Sequence, residues 1–238
     1  MIEDLVIDGR FRGPPESGNG GYVCGLLGRH YPDGATVTLR KPPPLGVELT
    51  LAGHGAGRLR LQQDAELIAE AEPGSPDLEP PGPPEFSAAV EAAKGYVGFI
   101  DHHFSECFVC GTDRSQGDGL RIYAGPWEDE GMVAAPWIPD QTLVDDQGLV
   151  RPEFLWAALD CPGYFALHID RRPQLMLLGR FTARVEPGIF SDERCVVVGW
   201  PLGEDGRKRY AGTALYSESR GLVGSARATW IALDRSLW

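Results

Sequence analysis

The chain has 238 residues, 42% of them hydrophobic and 24% charged, with a formal net charge of −12. That length accommodates two units of about 100–130 residues, each with its own core, and the composition is that of a globular rather than a disordered chain. The acidic balance opposes a nucleic-acid backbone, and no basic run interleaved with aromatics offsets it. No apolar run approaches the roughly 20 residues that span a bilayer, and Met1-Ile2-Glu3-Asp4 lacks the basic start of a signal peptide. Neither nucleic acid nor membrane is therefore expected as a partner, and the cytoplasm is the expected location. Five cysteines, an odd number scattered through a chain too large to need staples, are expected as reduced thiols.

In chain order, Gly18-Asn19-Gly20-Gly21 opens a short apolar segment that ends near Arg29-His30, a predicted helix with a glycine-rich N-terminus. Four runs alternating apolar with polar follow, at 36–41 (TVTLRK), 47–52 (VELTLA), 58–62 (RLRLQ) and 66–71 (ELIAEA), and predict an antiparallel meander. Residues 73–84 are crowded with Pro and Gly and read as a linker, and 85–95 (EFSAAVEAAKG) as a short helix. The predicted units are 1–72 and 104–238, with 73–103 between them.

After the linker the order recurs at larger size. Residues 121–123 and 132–135 predict leading strands. Residues 152–169 predict a long apolar helix interrupted near Pro162-Gly163. Runs at 177–185, 195–200, 209–216 and 222–233 predict four more strands. A helix apolar on nearly every side must be enclosed, and a meander that curls around it can enclose it. The predicted class is α+β, with two antiparallel sheets, each wrapped around a central helix.

The segments Cys107-Phe108-Val109-Cys110-Gly111 and Gly119-Leu120, followed by 179–187 and 224–229, resemble the lead-in, third and last strands of phenylacetyl-CoA-type thioesterases of the hotdog superfamily. Residues 35–44 resemble the same third strand in the first half. The resemblance implies a tandem double hotdog, a pseudo-dimer within one chain. Further pairing to a homodimer is left open.

Members of that family carry His-Gly-Gly at the start of the central helix and an acidic residue nine positions after the histidine. Amide N–H groups at a helix start form an oxyanion hole, and the carboxylate attacks the thioester or activates water. Here the motif is divided. Asn19-Gly20-Gly21 keeps the glycines, but Gly28 stands nine positions after Asn19. Arg151-Pro152-Glu153 lacks the glycines, but Asp160 stands nine positions after Arg151. Pro152 has no N–H to donate. Family glycine and acid come from opposite subunits, so the resemblance implies one composite site of Asn19, Gly20, Gly21 and Asp160 and one degenerate site at Gly28, Arg151, Pro152 and Glu153.

The function so implied is hydrolysis of an acyl thioester, carried on CoA or on a carrier protein, with no cofactor. The competing reading is a non-catalytic acyl-CoA-binding or assembly protein. Asn19, in place of histidine, orients the carbonyl or caps the helix. Tyr164, one turn beyond Asp160, lines the site or packs in the core. Arg40 and Lys41 supply a basic patch for an anionic CoA, or are solvated strand-end charges. Cys107 and Cys110 form a CxxC without a second pair of ligands and read as a turn, and Asp101-His102-His103 reads as a loop, so no metal is expected.

Overall fold

The computed structural model describes residues 2–127, 131–168 and 174–233. The chain opens with β1 (Ile2–Val6), continues through helix α1 (Gly20–Gly28), and then runs through β2 (Ala35–Leu39), β3 (Glu48–Gly53), β4 (Leu59–Gln63) and β5 (Glu66–Pro73). Helix α2 (Phe86–Ala93) follows a stretch, 74–84, with neither helix nor strand. The rest comprises β6 (Gly125–Pro126), β7 (Val133–Trp137), helices α3 (Pro152–Ala158) and α4 (Cys161–Ala166), and β8 (Met176–Val185), β9 (Cys195–Asp205), β10 (Lys208–Ser217) and β11 (Gly221–Ala232).

The strands form one eleven-stranded antiparallel sheet in the order β1-β3-β4-β5-β2-β8-β11-β10-β9-β7-β6, not the two separate sheets expected from the sequence. The seam is the pairing of β2 with β8, Ala35 opposite Ala183 and Val37 opposite Phe181. These are the two third-strand segments of the sequence repeat. Each would otherwise be an edge strand with unpaired N–H and C=O groups, and pairing them closes both edges at once. On either side of the seam five strands follow the same order, β1-β3-β4-β5-β2 on one side and β7-β9-β10-β11-β8 on the other, where the short β6 adds an edge beyond β7.

Other boundaries depart from expectation for local reasons. Residues 121–123 are not a strand, because Arg121 takes a positive φ of 55° and the amides of Leu120 and Ile122 bond to the Phe108 and Val109 carbonyls instead. The edge strand β1 escaped sequence reading because its five residues carry two carboxylates and no clean alternation. The helix expected over 152–169 stops at Ala158 and restarts at Cys161, earlier than Pro162-Gly163, while Ile169 lies outside the described residues. Pro162 cannot donate to the Ala158 carbonyl, so the ladder fails one turn upstream of the ring. Thr213 Oγ1, fully buried, donates to the Leu159 carbonyl at 2.7 Å within that break.

One hydrophobic core runs through both halves, with Val23, Leu27, Phe154, Leu155 and Trp156 of the helices against Val37, Phe181 and Val197 of the sheet. Helix α2 covers the opposite face. Ala89 packs on Val196, Val198 and Ala214, which alternate with the core-facing Cys195, Val197 and Leu215. Among the described residues no helix is long and apolar enough to cross a membrane.

Helices α1 and α3 run antiparallel and very close. A Cβ on Gly21 would sit 2.5 Å from Asp160 Cβ, and one on Gly25 would sit 2.6 Å from Glu153 Cα and 2.8 Å from its carbonyl oxygen. At Gly25 the obstruction is backbone, which cannot rotate away. Gly25→Val should therefore destabilise the fold by about 3 kcal/mol through overpacking. Denaturant titration at constant m-value checks this, and an unchanged midpoint would mean that the helices can separate freely.

Candidate active site

The break between α3 and α4 takes Asp160 out of the helical ladder and turns its carboxylate across to the start of α1. Oδ2 accepts the Gly21 amide N–H at 2.9 Å and the Asn19 side-chain amide Nδ2 at 2.9 Å. Asn19 is the N-cap of α1, its Oδ1 accepting the Tyr22 N–H at 2.9 Å, so its two ends cap the helix and hold the acid at once. Asp160 and Asn19 are each 2% exposed. Burial pushes the Asp160 carboxyl up to about 7, against the opposing pull of the Gly21 and Asn19 hydrogen bonds. Its second oxygen, Oδ1, is buried and has no hydrogen-bond partner among the described residues.

Asn19, Gly20, Gly21 and Asp160 are thus brought together, the first three from one half and the fourth from the other. Gly21's N–H is committed to the carboxylate. Gly20's N–H has no partner among the described residues. Asn19, Gly20 and Asp160 border a cavity of about 700 Å³ with mostly apolar walls, between the 13–20 segment, the ends of β2 and β8, and α4. Tyr164 also borders it and donates its hydroxyl to the Gln174 carbonyl at 2.9 Å. Arg40 and Lys41 lie at the same cavity but are ion-paired with Glu70 and Glu66.

The pseudo-symmetric position is filled. Gly28 lies against the Trp156 indole, where an added Cβ would come to 2.4 Å. Glu153, 4% exposed, sits between Arg29 at 3.8 Å and Arg151 at 3.7 Å. The rings of Phe11, Tyr22, Phe108 and Phe154 pack together beside it, Phe11 stacking on Tyr22 at 4.3 Å between centroids.

Sequence reading missed two features of the cavity wall. Trp230 reaches it with a buried indole N–H that has no partner among the described residues. Cys161 joins Cys107 and Cys110, so that all three sulfurs lie within 4.8 Å of one another. The CxxC spacing was visible, but the third thiol stands 51 positions further on, and only the fold brings it near. Hydrogen bonds from the Cys110 and Cys161 thiols and from the Cys110 and Val109 amides lower the Cys107 thiol well below its ordinary range.

No protein-family profile matches the chain, and no curated protein sequence matches it. Solved structures do. The tesB protein of Mycobacterium avium subs paratuberculosis superposes with a TM-score of 0.64 at 12% identity, over 98% of this chain and 93% of that one. The acyl-CoA thioesterase II TesB2 of Mycobacterium marinum gives 0.62 at 11% identity, over 100% and 94%. A conserved protein of unknown function with a hot dog fold, from Alicyclobacillus acidocaldarius, gives 0.58 at 12% identity, over 98% and 93%. The chain therefore has a double-hotdog fold.

Proposed function

We propose that the protein hydrolyses an acyl thioester, with acyl-CoA as the substrate class, at the one composite site between its halves. The observation that carries this reading is the meeting of Asp160 with Asn19, Gly20 and Gly21 across the two halves, at the wall of a cavity with room for an acyl chain. The likeness of the fold to a tesB protein and to an acyl-CoA thioesterase II supports the choice of substrate.

In this mechanism Asp160, ionised and fixed by Asn19 and Gly21, acts through Oδ1 as general base on a water molecule. That water attacks the thioester carbonyl, the oxyanion is stabilised by the Gly20 N–H at the positive end of α1, and the CoA thiolate leaves and is protonated. Gly20 takes this role because Gly21 already serves the carboxylate. The filled position around Gly28 and Glu153 supports a single site per chain. Arg40 and Lys41 border the cavity where an anionic ligand would enter, by exchange of their Glu70 and Glu66 partners.

Free-thiol release from a panel of acyl-CoA thioesters, short to long and aromatic, tests the reading. Turnover of at least one class is expected, and release from none would overturn it. Because the base must be ionised, kcat/KM in chelator-treated protein should rise with pH through about 7 and level off above it. A profile flat from pH 5 to 9 would remove Asp160 from that role.

A further inference from the structure

Cys107, Cys110 and Cys161 are all buried, all unbridged, and all at the wall of the same cavity. We propose that these three thiols are the ligands of a thiophilic divalent metal site, with Zn²⁺ as the ion that fits, its fourth ligand being solvent from the cavity. This assignment is independent of the hydrolase reading and goes beyond it.

The spacing suits the chemistry. Zn–S bonds of about 2.3 Å in a tetrahedral site set sulfur–sulfur separations near 3.8 Å. Cys107 Sγ and Cys161 Sγ are 3.8 Å apart, and the whole set lies within 4.8 Å, so closure onto an ion needs only side-chain adjustment. The turn carrying the first two ligands is closed by its own backbone. The Gly111 amide donates to the Cys107 carbonyl at 2.8 Å, which holds the loop closed, and the Asn19 side-chain amide lies 3.7 Å from the Cys107 sulfur. Cys161 comes from the first turn of α4, where the break in the helix presents it beside Asp160.

Three protonated thiols packed together in a core could be replaced by a small apolar cluster. Three soft donors converging from two distant segments within 4.8 Å of one another have the composition of a zinc site. Binding is an exchange of protons for metal. Zn²⁺ forms three Zn–S bonds, each S–H bond still present among the three thiols breaks, and its proton leaves to solvent with no change of oxidation state. The ion would tie the 104–111 segment to α4 and fix Cys161, the neighbour of Asp160. It would also alter the charge beside that acid, which is why the pH profile above is specified for chelator-treated protein.

The test uses the full chain, stripped of metal under reducing, anaerobic conditions and titrated with Co²⁺. The expected result is a sulfur-to-cobalt charge-transfer band in the near ultraviolet that saturates at one ion per chain and is abolished by one equivalent of Zn²⁺, with protons released on binding. Cys110→Ser and Cys161→Ser should each weaken binding at least ten-fold, while Cys195→Ala, a buried thiol on β9 away from the cluster, should bind as wild type does. Absence of the band in folded wild-type protein at sub-millimolar Co²⁺ would overturn the proposal without any variant. So would undiminished binding by Cys110→Ser and Cys161→Ser, both shown to be folded by circular dichroism.

Discussion

Asp160→Asn should lower kcat by about 10³-fold or more while leaving the protein folded, because the loss of a general base costs about 10²–10⁴ and, among the described residues, no other carboxylate borders that part of the cavity at hydrogen-bonding range of Gly21. The amide oxygen can still accept from Gly21 and Asn19, so the helix packing keeps its geometry, and the defect should appear in kcat with KM little changed. Stability should move the opposite way. Asp160 is raised from 3.8 to about 7 in the folded state, so between those values the folded protein holds a proton that the unfolded chain has lost. Stability therefore falls as pH rises across that window, by about 4 kcal/mol in total, and the whole deficit is present above pH 7. The neutral amide carries no such deficit. Thermal melts in chelator should place Asp160→Asn above wild type at pH 8 and level with it at pH 4, whereas a variant that melts lower at both would mark Asp160 as a structural residue.

Gly20→Pro should lower kcat by about 10²-fold at nearly unchanged stability. Gly20 is the first residue of α1, the one helical position where proline is favoured, and the substitution removes a single N–H that has no partner among the described residues. Asn19 already has φ −58° and ψ 132°, the extended conformation required before proline. An added Cβ would meet Leu178 Cδ2 at 2.8 Å, the end of a flexible side chain, and Leu178 Cβ at 3.0 Å, so β8 must give by a few tenths of an ångström there. Loss of one oxyanion donor typically costs about 10²–10³ in rate. Wild-type turnover by a correctly folded Gly20→Pro protein would move the oxyanion site elsewhere, the Asn19 side-chain amide being next in line.

The parts of the structure legible in the sequence were those written locally. Periodicity placed α1, α2 and eight strands to within a few residues, because their apolar faces are set by alternation or by helical spacing along one segment. The expectation of a repeat rested on the same local signals. What could not be read was how the halves meet. That β2 and β8 pair edge to edge into one sheet depends on two strands 141 positions apart in their first residues, and nothing in either announces its partner. The candidate site was legible because the two halves of a divided motif could be compared by position, Asn19-Gly20-Gly21 against Arg151-Pro152-Glu153. The division of labour between the glycines was not, since it turns on Asp160 crossing to Gly21 and leaving Gly20 free. The thiol cluster and Trp230 were missed because each joins the cavity through tertiary structure alone.

The most direct measurement is a crystal structure with a non-hydrolysable acyl-CoA analogue in which the thioester sulfur is replaced by a methylene. One molecule per chain is expected, its carbonyl oxygen within hydrogen-bonding distance of the Gly20 amide and its carbonyl carbon facing Asp160 Oδ1 across one water. The acyl chain should lie in the cavity beside Tyr164, and nothing should occupy the packed position around Gly28 and Glu153. An analogue bound at that second position, or bound with its carbonyl remote from both Gly20 and Asp160, would contradict the composite site.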